Sequence, residues 1–296
     1  MTDFESAIQA ALEHIGPAVV GLRGRWGAGS GTVIAPGRVL TNAHNLRHPE
    51  VTVIFSDGRS ESAQVSGTDL GVDLAVLEVD TGEVEPVSRR PEQAGPVTVG
   101  RPVLALANPG GRGLHATPGF VSSVTVSFRG PHGRSLTGGV EHTAPLPRGS
   151  SGGPLVDLEG HLLALNSIRM DPGLVVAIPL DGSIADRVEA LGRGDRRQPV
   201  RLGIAVAPPR AARRLRSAVG LPPRDGILVR AVQDATPADR AGLRRGDLIV
   251  AAGGRPLDSL DSLYEVLDTA RKGDQLELGV VRGTDEQTVS VGLRTD

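Results

Sequence analysis

The sequence predicts a mainly β protein, an antiparallel barrel or sandwich followed by a smaller domain of mixed strands and helices. Three observations predict it. From Ala18 to about Pro179, short runs of β-branched and aliphatic residues recur, separated by Gly, Pro, Asn and Asp. A polar stretch, Gly192 to Pro199, then interrupts them as a linker does. Beyond it, helical and strand periodicities alternate. The length of 296 residues agrees with two domains, since one core rarely grows past about 250–300 residues. The expected division is 1–192, a linker 193–199, and 200–296.

Thr2 and Glu5 stand at capping-box spacing, and Phe4, Ile8, Leu12 and Ile15 follow at helical intervals. Residues 3–15 therefore read as an amphipathic helix, stopped by Gly16 and Pro17. The expected strands are Val19–Leu22, Thr32–Ile34, Val51–Phe55, Leu74–Val79, Val103–Ala107, Phe120–Val126, Leu162–Ile168 and Val175–Ile178, with a short helix over Ile184–Leu191. In the second domain Thr236-Pro237 opens a helix with Pro in its first position. Ser259 caps another, with Leu260, Leu263, Leu267 and Ala270 on one face. Leu276, Leu278 and Val280 alternate, as do Val289, Val291 and Leu293, and the turn Arg282–Asp285 joins them as a hairpin.

Composition excludes several functions. A net charge of -2 recruits neither nucleic acid nor an anionic membrane. The Arg210, Arg213, Arg214 and Arg216 cluster reads as a solvated helix face. With no cysteine, disulfides, thiol nucleophiles and Cys-ligated metals are impossible. No apolar run approaches the ~20 residues of a membrane span. Met1 to Leu12 has no basic segment ahead of an apolar one, so a cytoplasmic protein is expected, the alternative being a removed targeting segment.

The chemistry sits in three segments. Gly149-Ser150-Ser151-Gly152-Gly153 places a hydroxyl in a loop of unusual backbone freedom. A serine needs a base to take its proton and preset N–H donors for the oxyanion it creates. Ser151 is favoured over Ser150 because it alone has Gly two residues before and one after. His44 ends the apolar segment Val39-Leu40-Thr41-Asn42-Ala43, and an ordinary pKa near ~6.5 leaves it a neutral base at pH ~7. His14, His48, His115, His132, His142 and His161 lie among polar or loop-like neighbours and read as surface histidines. Asp73 heads the run Leu74-Ala75-Val76-Leu77, where a carboxylate needs a partner such as the imidazole Nδ1–H. Asp69 is its competitor. The order His, Asp, Ser is that of chymotrypsin-like double barrels.

Gly29-Ser30-Gly31-Thr32-Val33-Ile34, Leu40–His44, Asp73–Val76 and Gly149–Val156 together resemble the HtrA/DegP family, with Asn108-Pro109-Gly110 and Ala177-Ile178-Pro179 as further landmarks. The resemblance implies two six-stranded β-barrels with the triad His44, Asp73 and Ser151 between them. It also implies an oxyanion hole from Gly149, Ser150 and Ser151. The family pattern is altered at Ser150, at Pro147-Arg148 and at Thr143. The primary pocket is expected from Leu146 at its floor, with Asn166, Ser167 and Ile168 and then Val175, Val176 and Ala177 as its walls, apolar and suited to Val, Ala or Leu; Arg169 sits nearby without a role.

Pro237–Ile249 gives residues 200–296 a resemblance to a PDZ domain, a β-sandwich with two helices. That implies a carboxylate-binding loop at Arg201-Leu202-Gly203-Ile204 and a groove walled by Leu263 and Leu267. The function expected is ATP-independent endopeptidase action on unfolded or misfolded polypeptides, with peptide C-termini docked on the PDZ domain, no metal or cofactor, and a homotrimer as the expected assembly. The alternative is a catalytically silent, PDZ-driven peptide-binding or chaperone protein.

Overall fold

A computed structural model describes residues 3–24, 27–46, 51–88, 95–129, 135–170, 173–194, 196–197, 200–270 and 273–293. His48, His132 and the linker residues Asp195, Gln198 and Pro199 lie outside these. The chain divides into two compact units, Met1–Gln198 and Pro199–Asp296.

The first unit opens with α1 (Asp3–Ile15), whose apolar stripe is used at home. Ala11 and Ile15 are buried, and Ile8 and Leu12 pack on the same core, leaving Phe4 exposed. Six strands then close a barrel: β1 (Val19–Gly24), β2 (Gly27–Ala35), β3 (Arg38–Asn42), β4 (Val51–Ile54), β5 (Ser60–Asp69) and β6 (Leu74–Glu78), ordered β5-β4-β1-β2-β3-β6 with β5 paired to β6. A second closed barrel follows from β7 (Pro102–Ala107), β8 (His115–Arg129), β9 (Ser135–His142), β10 (Pro154–Val156), β11 (Leu162–Arg169) and β12 (Val175–Pro179), ordered β10-β11-β12-β9-β8-β7. The core is aliphatic: Leu40, Leu74, Leu77, Leu104, Leu106, Leu155 and Leu165 are fully buried, as scarce aromatics require.

Helix α2 (Gly182–Gly192) follows the second barrel. The stretch expected as a free linker is partly structured, because β13 (Arg196–Arg197) adds to β5 in parallel. Full closure removes the edges a six-stranded sheet would otherwise expose.

In the second unit, β14 (Ile204–Ala207), β15 (Ile227–Val232), β16 (Leu248–Ala252), β18 (Gln275–Arg282) and β19 (Asp285–Gly292) form a sheet in that order, with β17 (Arg255–Pro256) on β16. Three helices accompany it: α3 (Pro209–Ala218), α4 (Pro237–Arg240) and α5 (Leu260–Thr269). Ser259 and Ser262 cap α5 reciprocally, and the Thr236 side chain caps α4. The arginine cluster on α3 is not wholly solvated. Arg216 is buried, its Nε bonded to Pro222 O and its Nη2 to Gly283 O, so it fastens the helix to two carbonyls.

Candidate active site

The base and its orienter meet at one end of the first barrel. His44 follows β3, and Asp73 immediately precedes β6, which pairs with β3. His44 Nδ1 lies 2.7 Å from Asp73 Oδ2, and the His44 N–H donates to Oδ1 at 3.0 Å. Asn42 Nδ2 and Ser167 Oγ each reach Oδ2 at 3.4 Å. Asp73 is 1% exposed, so these donors are what make a buried carboxylate tolerable. Its φ of 57° lies in the left-handed region, where short polar residues such as Asp are found more readily than bulkier ones. Asp69 is engaged elsewhere, with Arg187 Nη1 at 3.0 Å and the Gly71 N–H. Of the two candidate carboxylates, Asp73 is the one at the imidazole.

Ser151 lies on the loop before β10. Its Oγ donates to the Ser167 carbonyl at 2.6 Å and makes no hydrogen bond to His44. The hydroxyl turns about a single bond among three staggered wells, so release of that carbonyl is what frees it to point elsewhere. The loop is held from the opposite barrel. The Ser30 N–H and Asn45 Nδ2 both donate to Ser151 O at 2.9 Å, Ser30 Oγ donates to Gly149 O, and Thr32 Oγ1 to Gly152 O. Ser30, Asn42 and Asn45 escaped the sequence reading as positioning residues; their place beside the matched motifs was the available signal.

Two glycines are obligatory here. Gly149 has φ 87°, and a Cβ on it would meet Ala28 O at 3.1 Å. Gly152 has φ 92°, and a Cβ there would stand 2.0 Å from Ser30 O. The backbone N–H groups of Gly149, Ser150 and Ser151 carry no hydrogen bond among the described residues. They are therefore free to donate to an oxyanion. Ser150 Oγ is spent on Pro147 O at 2.7 Å.

Beside Ser151 lies a cavity of about 390 Å³. Leu146, Asn166, Ser167 and Val175 line it as expected, but Ile168, Val176 and Ala177 do not, and Arg169 does. The cause is a bulge at Ser167. The register shifts between Asn166 and Ile168, after which Ile168 pairs with Val176 and Arg169 with Val175. Cross-strand partners share a face, so Ile168 and Val176 turn together into the core while Arg169 and Val175 turn to the cavity. With Arg148 and Arg169 on its wall, the pocket is not the apolar one expected.

Behind it, His142 corrects a second expectation. It is wholly buried rather than at the surface, in β9, with Nε2 3.0 Å from Asn166 Oδ1. Asn166 Nδ2 donates to Pro154 O at 3.1 Å and Leu106 O at 3.3 Å. Oδ1 is thus the acceptor, which assigns the proton to His142 Nε2. Nδ1 is left without a partner. Burial, opposed by the Asn166 bond, lowers the His142 pKa from 6.5 to about 4.

In the second unit Leu202 is buried, Gly203 has φ 80°, and Ile204 packs partly on the core, while Arg201 is exposed. Leu263 and Leu267 are 3% and 5% exposed. They belong to the domain's own hydrophobic core.

The fold agrees with comparisons to known proteins. Residues 29–165 match the trypsin-like peptidase domain and residues 200–293 the PDZ domain. A putative serine protease HhoA of Synechocystis is 33% identical over 285 residues, covering 90% of this chain and 70% of that protein. Protease Do-like 1, chloroplastic, of Arabidopsis thaliana is 31% identical, covering 90% of this chain and 63% of that one. A probable periplasmic serine endoprotease DegP-like of Pseudomonas savastanoi is 32% identical; the chain spans 56% of its length. The crystal structure of the serine endoprotease from Yersinia pestis superposes with a TM-score of 0.71 at 25% identity, covering 99% of this chain and 97% of that one. No described helix is long and apolar enough to cross a membrane. The chain belongs to the HtrA/DegP family of serine proteases, a trypsin-like peptidase domain followed by a PDZ domain.

Proposed function

We propose that the chain cleaves unfolded or misfolded polypeptides by acyl transfer through Ser151, without ATP, metal or cofactor. Ser151 Oγ attacks the scissile carbonyl while His44 Nε2 takes its proton. The imidazolium that forms is stabilised by Asp73, and the oxyanion by the N–H groups of Gly149 and Ser151. His44 then protonates the leaving amine, and water repeats the cycle on the ester. The observation that carries this reading is the buried Asp73 carboxylate, 2.7 Å from the imidazole nitrogen opposite the one that must act.

The second unit docks peptide C-termini. β14 ends its sheet, so an extended peptide can add there. The Leu202 and Gly203 N–H groups carry no hydrogen bond among the described residues and can receive a terminal carboxylate. A homotrimer belongs to the same proposal, with Phe4 as the exposed large apolar group of α1; light scattering tests it. Relatives are named periplasmic or chloroplastic, and cell fractionation decides the compartment of this chain.

The central experiment is fluorophosphonate labelling with digestion of unfolded casein. The wild type labels and cleaves, and Ser151→Ala does neither. A folded wild type inert in both assays overturns the catalytic reading and restores the peptide-binding alternative.

A further inference from the structure

We propose that Arg169 makes the primary pocket select an acidic side chain, Asp or Glu, on the acyl side of the scissile bond. The proposal rests on the protease reading above and specifies its substrate. Its ground is the state of the polar side chains on the wall beyond the nucleophile and its oxyanion donors. Ser150 Oγ is bound to Pro147 O, and Ser167 Oγ to Asp73. Both amide hydrogens of Asn166 go to carbonyls and its oxygen is held by His142. None of these has a strong donor left for a substrate.

The guanidinium groups do. Arg169 donates through Nη2 to the Leu146 carbonyl. It makes no other hydrogen bond and no ion pair among the described residues, and Arg148 makes none of either. A guanidinium carries five N–H donors in a planar fork, so most of those on Arg169 remain available. Among the described residues no carboxylate lines the cavity to neutralise either cation. The Leu146 carbonyl tethers the Arg169 head at the wall, and the bulge at Ser167 fixes its direction, since Arg169 faces the cavity with its partner Val175.

An aliphatic side chain entering this space would strip water from a cation and return no partner, which is unfavourable. A carboxylate would meet the fork with two charge-assisted bonds. Leu146 and Val175 leave apolar surface for the methylene stem of Glu or Asp.

The test compares peptide substrates differing only at the residue before the cut: Glu, Asp, Gln and Val. Cleavage sites in unfolded casein are mapped by mass spectrometry in parallel. The wild type is expected to prefer Glu or Asp over Gln and over Val by at least about tenfold in kcat/KM. Arg169→Gln, its fold and nucleophile checked by fluorophosphonate labelling, is expected to bring Glu and Gln within about threefold while Val cleavage is retained or improved. A wild type that favours Val over Glu, or an Arg169→Gln variant with the acidic preference intact, overturns this proposal and leaves the protease reading standing. Absence of all cleavage by the wild type defeats both.

Discussion

The buried His142 makes the first barrel pair sensitive to acid in a way that can be calculated. Its folded pKa of about 4 lies below the ordinary 6.5, because the ring is walled off from water and its Nδ1 faces no acceptor. The neutral form is therefore the one that fits. Above about pH 6.5 folded and unfolded chains bind the same number of protons here, and the group does not affect stability. Between about pH 6.5 and 4 the unfolded chain takes up a proton that the folded chain refuses, so stability falls as pH falls. The loss is roughly 2 kcal/mol at pH ~5 and approaches ~3 kcal/mol near the folded pKa, at about 1.36 kcal/mol per unit. Urea unfolding followed by amide exchange of the barrel strands reads this directly. His142→Gln keeps a donor for Asn166 but cannot titrate. The gap between wild type and variant should shift by about 2 kcal/mol in the variant's favour from pH ~7 to ~5, with other titrations cancelling. Parallel stability curves over that range would refute the reasoning.

Two further outcomes follow from specific contacts. Gly152→Ala places a Cβ 2.0 Å from Ser30 O and 2.5 Å from Thr41 Oγ1 at a φ of 92°. We expect it to abolish fluorophosphonate labelling and to cost about 3 kcal/mol or more of first-unit stability; a labelled, stable variant contradicts the loop geometry. Asp247 is buried, which alone would raise its pKa. The Arg282 hydrogen bonds, both 2.8 Å, the Arg244 N–H and the two positive charges outweigh this and hold it below the usual range. Its contribution is present above the ordinary carboxylate pKa and is lost as pH falls through the lowered one. Asp247→Asn should destabilise the second unit by about 3 kcal/mol, seen as faster amide exchange across 200–293 with the barrels unchanged; equal exchange in both units would count against it.

Much of the site was legible because His44 and Asp73 each stand where an apolar run ends or begins. Ser151 stood out instead by the glycines two residues before it and one after. The strands β5 and β9 were not legible. Their sequences, SESAQVSGTD and SLTGGVEH, offer few apolar positions, and what recruits them is backbone pairing that completes a ring. His142 was misread for the same reason. Its neighbours Glu141 and Thr143 are polar, but burial is decided by layers from β8 and β12 that no local window contains. The pocket wall was only partly legible. The motif segments located it, but the extra residue at Ser167, which shifts the register between Asn166 and Ile168, decides which side chains beyond it face the cavity. Arg216 and the α5 leucines show the converse limit: periodicity identified a face without revealing what would cover it.

Ser30 has a consequence for how the enzyme comes into being. Through its N–H and hydroxyl, this one residue of β2 grips the carbonyls of Ser151 and Gly149, and its hydroxyl also accepts from the Asn108 N–H. The grip reaches across 119 positions of sequence to Gly149. The later barrel alone supplies some holds on this turn, such as the Gly152 N–H to Asn166 O, but the grip from Ser30 exists only once the earlier barrel stands against it. Cutting power thus depends on a contact that neither half of the pair can make by itself.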